Sequence, residues 1–151
     1  MADLRLQELS ARTIAAANSL TLKPGQEAFL APETYTHHEE QIDPSNSWPR
    51  VIVDEQDRVV GYIMGNFDPE ASEDFLRAAL WRINVAAEAQ GEGVGRFAVS
   101  SLAEEARARG FEKLTVVWGS GEAGPEEFFK AVGFEVIGET PYGETLGALP
   151  L

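Results

Sequence analysis

The residues best suited to chemistry lie together in Gln90-Gly91-Glu92-Gly93-Val94-Gly95-Arg96, where three glycines fall within five residues. Val94, Phe97, Ala98, Leu102 and Ala106 then recur at helical spacing, and Gly110 stands where a left-handed C-terminal cap would fall. A glycine loop entering a helix leaves several backbone N–H groups aimed at one point, with the positive end of the helix dipole behind them. That arrangement suits phosphate groups. Upstream, Ala78-Ala79-Leu80-Trp81-Arg82-Ile83-Asn84-Val85 is apolar on both faces and predicts a largely buried strand. The unit is strand, glycine loop, helix.

The kind of phosphate ligand follows from what surrounds the loop. A dinucleotide fingerprint read as Gly93-x-Gly95-x-x-Ala98 would want an acid at the end of the next strand, which instead ends in Trp118. A nucleoside-triphosphate loop would want Lys and then Ser or Thr after its last glycine, and Arg96-Phe97 follow here. Other chemistries are poorly supplied. The chain has no cysteine, which removes disulfides, zinc–thiolate clusters and a cysteine nucleophile. Ser120 is flanked directly by Gly119 and Gly121, which is not the spacing of a nucleophile elbow. His37, His38, Glu39, Glu40 and Asp43 are crowded together without the spacing that sets ligands on one helical face, so no metal is expected.

The 151 residues can bury one good core and are too few for two, so a single domain over 1–151 is expected. The formal net charge of −13, from 25 acids against 12 Lys plus Arg, repels nucleic acid and anionic lipid and favours a cationic small molecule. Met1-Ala2-Asp3-Leu4-Arg5 lacks the basic and apolar regions of a signal peptide, and no apolar run reaches spanning length. A cytoplasmic protein away from membranes is the expectation.

Elements must hold the loop in place. Leu4–Leu9 alternates as a first strand, Ser10 can cap an alanine-rich helix over Ala11–Ser19, and Gln26–Leu30 reads as a short second helix ended by Pro32. Glu33–Pro49 is polar and irregular. Val51–Asp54 and Arg58–Phe67 read as a hairpin about Glu55-Gln56-Asp57, and Asp68–Asp74 leads into a long strand, Leu76–Val85. After the crossover helix come a strand at Lys113–Trp118 and a loop at Gly119–Gly124. Pro125 then opens a helix, Glu126–Val132, closed by Gly133. Phe134–Ile137 and Glu144–Leu151 form a closing pair of strands around Thr140-Pro141-Tyr142-Gly143. Successive antiparallel strands followed by a late parallel crossover describe an α+β fold.

In this order, the pieces resemble the GNAT N-acetyltransferases over nearly the whole chain. The strand Leu80–Val85 with Gln90-x-x-Gly93-x-Gly95 is similar to that family's acetyl-CoA motif, and Phe128-Phe129-Lys130-Ala131-Val132-Gly133-Phe134 to its later Phe-Tyr-x-x-x-Gly-Phe element. With Gln26–Pro32 and the ending Gly138-Glu139 … Leu149-Pro150-Leu151, the set looks most like the bacterial diamine and polyamine (spermidine/spermine) branch. The resemblance implies a mixed, mostly antiparallel sheet of six to seven strands, about four helices and a splayed central strand pair. It implies acetyl-CoA as co-substrate, a small amine such as a polyamine as acceptor, and admits a homodimer. Ile83, Asn84 and Val85 would pair with the pantetheine arm. The N–H groups of Gly91, Gly93, Val94, Gly95 and Arg96 would hold the pyrophosphate, Gln90 would fix the loop, and Phe128 would pack beside the cofactor. The N–H of Val85 would face the oxyanion.

Two positions depart from the family pattern. Phe129 stands where the family has a tyrosine that protonates the leaving thiolate, leaving Tyr142, Tyr62 or a water for that role. Glu92 stands where a basic residue often offsets the pyrophosphate. For a general base the nearest carboxylates are Glu39, Glu40 and Asp54. A catalytically degenerate GNAT module that binds acyl-CoA is therefore the alternative reading.

Overall fold

Two glycines on one strand set how closely the main helix packs on the sheet. In the computed structural model, which describes residues 4–8, 13, 44–71, 74–86, 93–118, 126–140 and 143–151, Gly61 and Gly65 lie beneath the helix Val94–Ala108. A Cβ at Gly61 would stand 2.9 Å from Val94 Cγ1, and one at Gly65 would stand 2.5 Å from Leu102 Cδ1. Glycine in a strand interior weakens pairing but admits such an approach.

The described elements run β1 (Arg5–Glu8), β2 (Ser47–Val53), β3 (Val59–Phe67), α1 (Asp74–Arg77), β4 (Ala78–Val85), α2 (Val94–Ala108), β5 (Lys113–Trp118), α3 (Glu126–Ala131), β6 (Glu135–Glu139) and β7 (Thr145–Pro150). They build one seven-stranded sheet in the order β1-β2-β3-β4-β5-β7-β6. Only β4 and β5 run parallel, joined through α2. β7 inserts between β5 and β6, so the closing hairpin adds to the sheet through its second strand.

The apolar positions of α2 point into one cluster. Val94, Ala98, Val99, Leu102 and Ala106 are buried with Ile52, Ile63, Leu80, Val116 and Trp118 from the sheet, and with Phe129 and Phe134. The opposite face carries smaller clusters, Val51 and Val53 with Val59 and Tyr62, and Leu76 and Val117 with Trp81 and Leu146. Both predicted glycine caps are present. Gly110 has φ 91°, the Phe111 N–H reaches the Ala106 carbonyl at 3.1 Å and the Gly110 N–H that of Arg107 at 3.0 Å. Gly133 has φ 112°, and Phe134 and Gly133 donate to Phe129 and Lys130 in the same way at 3.0 and 3.1 Å. Both ends are Schellman motifs, in which glycine's left-handed freedom satisfies the last carbonyls.

Several expectations need correction. Among the described residues there are two helices longer than one turn, α2 and α3, rather than about four. The helices expected over 11–19 and 26–30 fall outside the described residues, apart from Thr13. The irregular stretch expected up to Pro49 is strand from Ser47 onward, preceded by a 3₁₀ turn at Pro44–Asn46. Trp48 is the cause: it is buried edge-on to Phe67 with centroids 6.4 Å apart, and tertiary packing overrides the local turn signals. The long strand expected from Leu76 begins at Ala78. The preceding carbonyls are taken elsewhere, Leu76 O by Asn66 Nδ2 at 2.8 Å and Arg77 O by the Asp68 N–H at 2.7 Å. No helix among the described residues is long and apolar enough to cross a membrane.

Candidate active site

The central strands part company after a short shared ladder. β4 pairs with β5 at Ala79–Thr115 and Leu80–Val116. Beyond Leu80, in the ladder among the described residues, Ile83 and Asn84 keep a strand neighbour on the β3 side only. A register shift accompanies the parting, because Met64 faces Arg82 while Gly65 faces Leu80, so Trp81 is an extra residue in β4. Such a bulge bends and twists its strand, a common device beside functional sites. This is the splayed central pair that the family resemblance implies.

The start of α2 lies against this opening. Gly93 is its N-cap, with φ 85° and no side-chain hydrogen bond to the helix, and the Phe97 N–H is the first to reach back, to the Gly93 carbonyl at 2.9 Å. The N–H groups of Val94, Gly95 and Arg96 therefore have no partner within the helix. Gly95 is buried, and a Cβ there would lie 2.8 Å from Phe128 Cε1 and 3.7 Å from Val85 Cγ2. Thus Val85, Gly95 and Phe128, chosen from three separate segments of sequence, meet at one point. Arg96 is exposed, with a long 3.5 Å contact from its guanidinium to the Ala131 carbonyl at the end of α3. Gln90, Gly91 and Tyr142, like Glu92, lie outside the described residues.

The proton-handling candidates separate clearly. Phe129 is buried, stacked on Trp118 at 5.3 Å and edge-on to Phe128 and Phe134 at 5.3 and 5.7 Å. It is a core residue without a proton to give. Asp54 is no base. Its carboxylate accepts from the Arg58 N–H at 3.0 Å, the Gln56 N–H at 2.9 Å and Arg58 Nε at 2.9 Å, closing the β2–β3 hairpin. Those bonds, led by the Arg58 backbone, hold its pKa below the ordinary carboxylate value against the opposing effect of burial. Tyr62 sits directly across from Asn84, and burial raises its pKa although the Arg82 charge pulls the other way. Its phenol keeps its proton. Glu39, Glu40 and the paired histidines lie outside the described residues, and no group of three or more metal-ligating side chains occurs among those described.

Sequence reasoning missed Arg82 and the Asn84 side chain. Asn84 Oδ1 is shielded from solvent and has no hydrogen-bond partner. Its setting depends on the β3–β4 register, which no local pattern announces. The described residues also line a cavity of about 490 Å³ at the far end of α2, between Phe67, Arg77, Arg109 and Phe111, remote in the chain's layout from the opening beside Gly95.

Comparison with known proteins places these features in context. The family model described as the acetyltransferase (GNAT) family matches residues 15–134. No curated protein matches the chain in sequence. Among solved structures, a domain from Methanocaldococcus jannaschii DSM 2661 superposes with a TM-score of 0.72 at 15% identity, covering 100% of both chains. Nourseothricin acetyltransferase superposes at 0.68 with 20% identity, over 97% of this chain and 98% of its own. A GNAT family acetyltransferase from Elizabethkingia anophelis, solved with acetyl-CoA bound, superposes at 0.65 with 14% identity over 98% of each. At these identities the likeness is one of fold.

Proposed function

The chain belongs to the GNAT acetyltransferase family, and from that premise we propose that it is an acetyl-CoA-dependent N-acetyltransferase that acts on the amine of a small acceptor. The observation that carries the reading is the junction of the β4–β5 opening with the uncapped start of α2. An extended pantetheine arm can complete the ladder along Ile83, Asn84 and Val85 as an added strand would. The N–H groups of Gly91, Gly93, Val94, Gly95 and Arg96 receive the pyrophosphate, where the helix dipole favours negative charge. Gln90 fixes the loop, and Phe128 packs at its base. Acetyl-CoA, the molecule bound in the Elizabethkingia anophelis structure, is the co-substrate.

The chemistry is direct attack. A neutral amine nitrogen forms a bond to the thioester carbonyl carbon and gives up a proton, the C–S bond breaks, and the thiolate takes up a proton, so that one proton leaves nitrogen and one reaches sulfur for each acetyl group moved. The Val85 N–H stabilises the oxyanion. Tyr142 is the proton donor to the thiolate, with Tyr62, whose phenol stays protonated, as the other candidate. The net charge of −13 draws amines to the surface, which is the ground for counting a polyamine among the candidate acceptors.

Phe129 favours a second reading, a GNAT module that binds acyl-CoA without turnover, because this side chain is committed to the aromatic core. Calorimetric titration with acetyl-CoA, followed by a thiol-release assay over a panel of primary amines, separates the two. Heat with thiol release supports the transferase, and heat without release from any amine supports the module.

A further inference from the structure

Tyr62, Arg82 and Asn84 bring polar groups to the sheet face opposite α2. In the β3–β4 ladder Asn84 stands across from Tyr62 and Arg82 across from Met64, and residues paired in this way share a face. Ile63, Leu80 and Val94, by contrast, belong to the cluster on the α2 side.

Two features of this group point to a ligand. The first is the buried, unpartnered Asn84 Oδ1, an acceptor that calls for an N–H donor. The second is the exposed Arg82. Arg5, Arg50, Arg58 and Arg109 each face a carboxylate, whereas Arg82, like Arg96 and Arg107 on α2, has no ion pair among the described residues, and of these three it alone lies on the face opposite α2. Same-face neighbours along a strand lie roughly 7 Å apart, so an N–H acceptor and a cation are presented within reach of one small molecule.

These charges discriminate between amines. A polyamine with one nitrogen at Asn84 would bring its remaining ammonium groups near the Arg82 guanidinium, whereas a carboxylate there would be attracted. Charges beyond a Debye length of about 10 Å are largely screened, so a charge within a few ångströms of the acceptor counts for more than the net charge of the chain. The nearest charge decides.

We propose that the acceptor is a zwitterionic, amino-acid-like amine, its nitrogen received by Asn84 Oδ1 and its carboxylate held by Arg82. The assignment rests on the acetyltransferase reading above and narrows its substrate class. The transfer itself is unchanged: the acceptor nitrogen gains the acetyl carbon and loses a proton, and the sulfur that leaves with the C–S electrons gains one. Arg82 is thereby a specificity-determining residue.

The test is thiol release at saturating acetyl-CoA with pairs of acceptors that differ only by a carboxylate: lysine and cadaverine, ornithine and putrescine, 4-aminobutyrate and propylamine. The carboxylated member should have a kcat/KM higher by about tenfold or more. Arg82→Gln should erase that ratio through a rise in KM for the carboxylated member, and Arg82→Lys should keep part of it. A preference for the diamines, or a ratio unchanged in Arg82→Gln, overturns the proposal. If acetyl-CoA binds and no amine is turned over, equilibrium binding of lysine against cadaverine to the acetyl-CoA complex decides the same question by the same ratio. Failure of the underlying reading looks different, because acetyl-CoA then gives no heat at all, and both assignments fall together.

Discussion

The ring of Phe128 occupies the space that a side chain at Gly95 would need, with Cε1 and Cζ at 2.8 and 2.9 Å from the place of a Cβ. This contact ties the first turn of α2 to α3 and fixes the direction in which the helix's free N–H groups point. Alanine at a helical glycine ordinarily stabilises by about 0.5–1 kcal/mol. Here overpacking, typically about 1–3 kcal/mol, should outweigh that gain. Gly95→Ala is expected to lower the melting temperature and weaken acetyl-CoA binding, and Phe128→Ala in the same chain should recover part of both. A more stable Gly95→Ala protein with normal binding would show that the contact is not tight.

Gly93 makes a contrasting case, since nothing stands within 4 Å of a Cβ there. The constraint is its φ of 85°, a left-handed conformation that costs roughly 1–2 kcal/mol in other residues. Gly93→Ala should therefore lose about that much stability in urea unfolding, with Gly93→Asn losing less. Equal losses would mean that the loop relaxes to another conformation.

Asp54 should control acid stability without touching turnover. Its folded pKa is depressed, so its contribution is present above the unfolded carboxylate range and lost as pH falls through that range towards the folded value. Asp54→Asn is expected to be less stable than the parent at neutral pH and to show a flatter decline in melting temperature on acidification, with kcat retained. A collapse of kcat with unchanged stability would restore the carboxylate as a candidate base.

Phe129→Tyr sets two effects against each other. A hydroxyl added to the buried stack with Trp118 costs roughly 1–3 kcal/mol if it lacks a partner. A phenol at this position would also restore the proton donor implied by the family resemblance. The variant should melt at a lower temperature and release thiol faster than the parent. Slower release would mean that the hydroxyl does not reach the reacting sulfur.

What could be read in the sequence was what local chemistry dictates. The apolar spacing of α2, the glycines at 110 and 133 and the strand at 113–118 need only near neighbours, and they are found where expected. The start of β2 was hidden because Trp48 is drawn into the sheet by Phe67, nineteen positions further along. The bulge at Trp81 depends on how β3 and β4 register, and so does the juxtaposition of Tyr62 and Asn84. Asp54 looked like any surface acid until Arg58 and Gln56 closed around it. Local pattern thus located the start of α2, but pairing between strands determined which polar groups share its surroundings.

On the function proposed above, the opening between β4 and β5, with the start of α2, receives acetyl-CoA. Isothermal titration of the protein with acetyl-CoA tests it most directly. Saturable one-to-one binding, tighter than millimolar and weakened in Gly95→Ala, is expected. No heat at millimolar acetyl-CoA, where a specific complex is still worth roughly −4 kcal/mol, would contradict it.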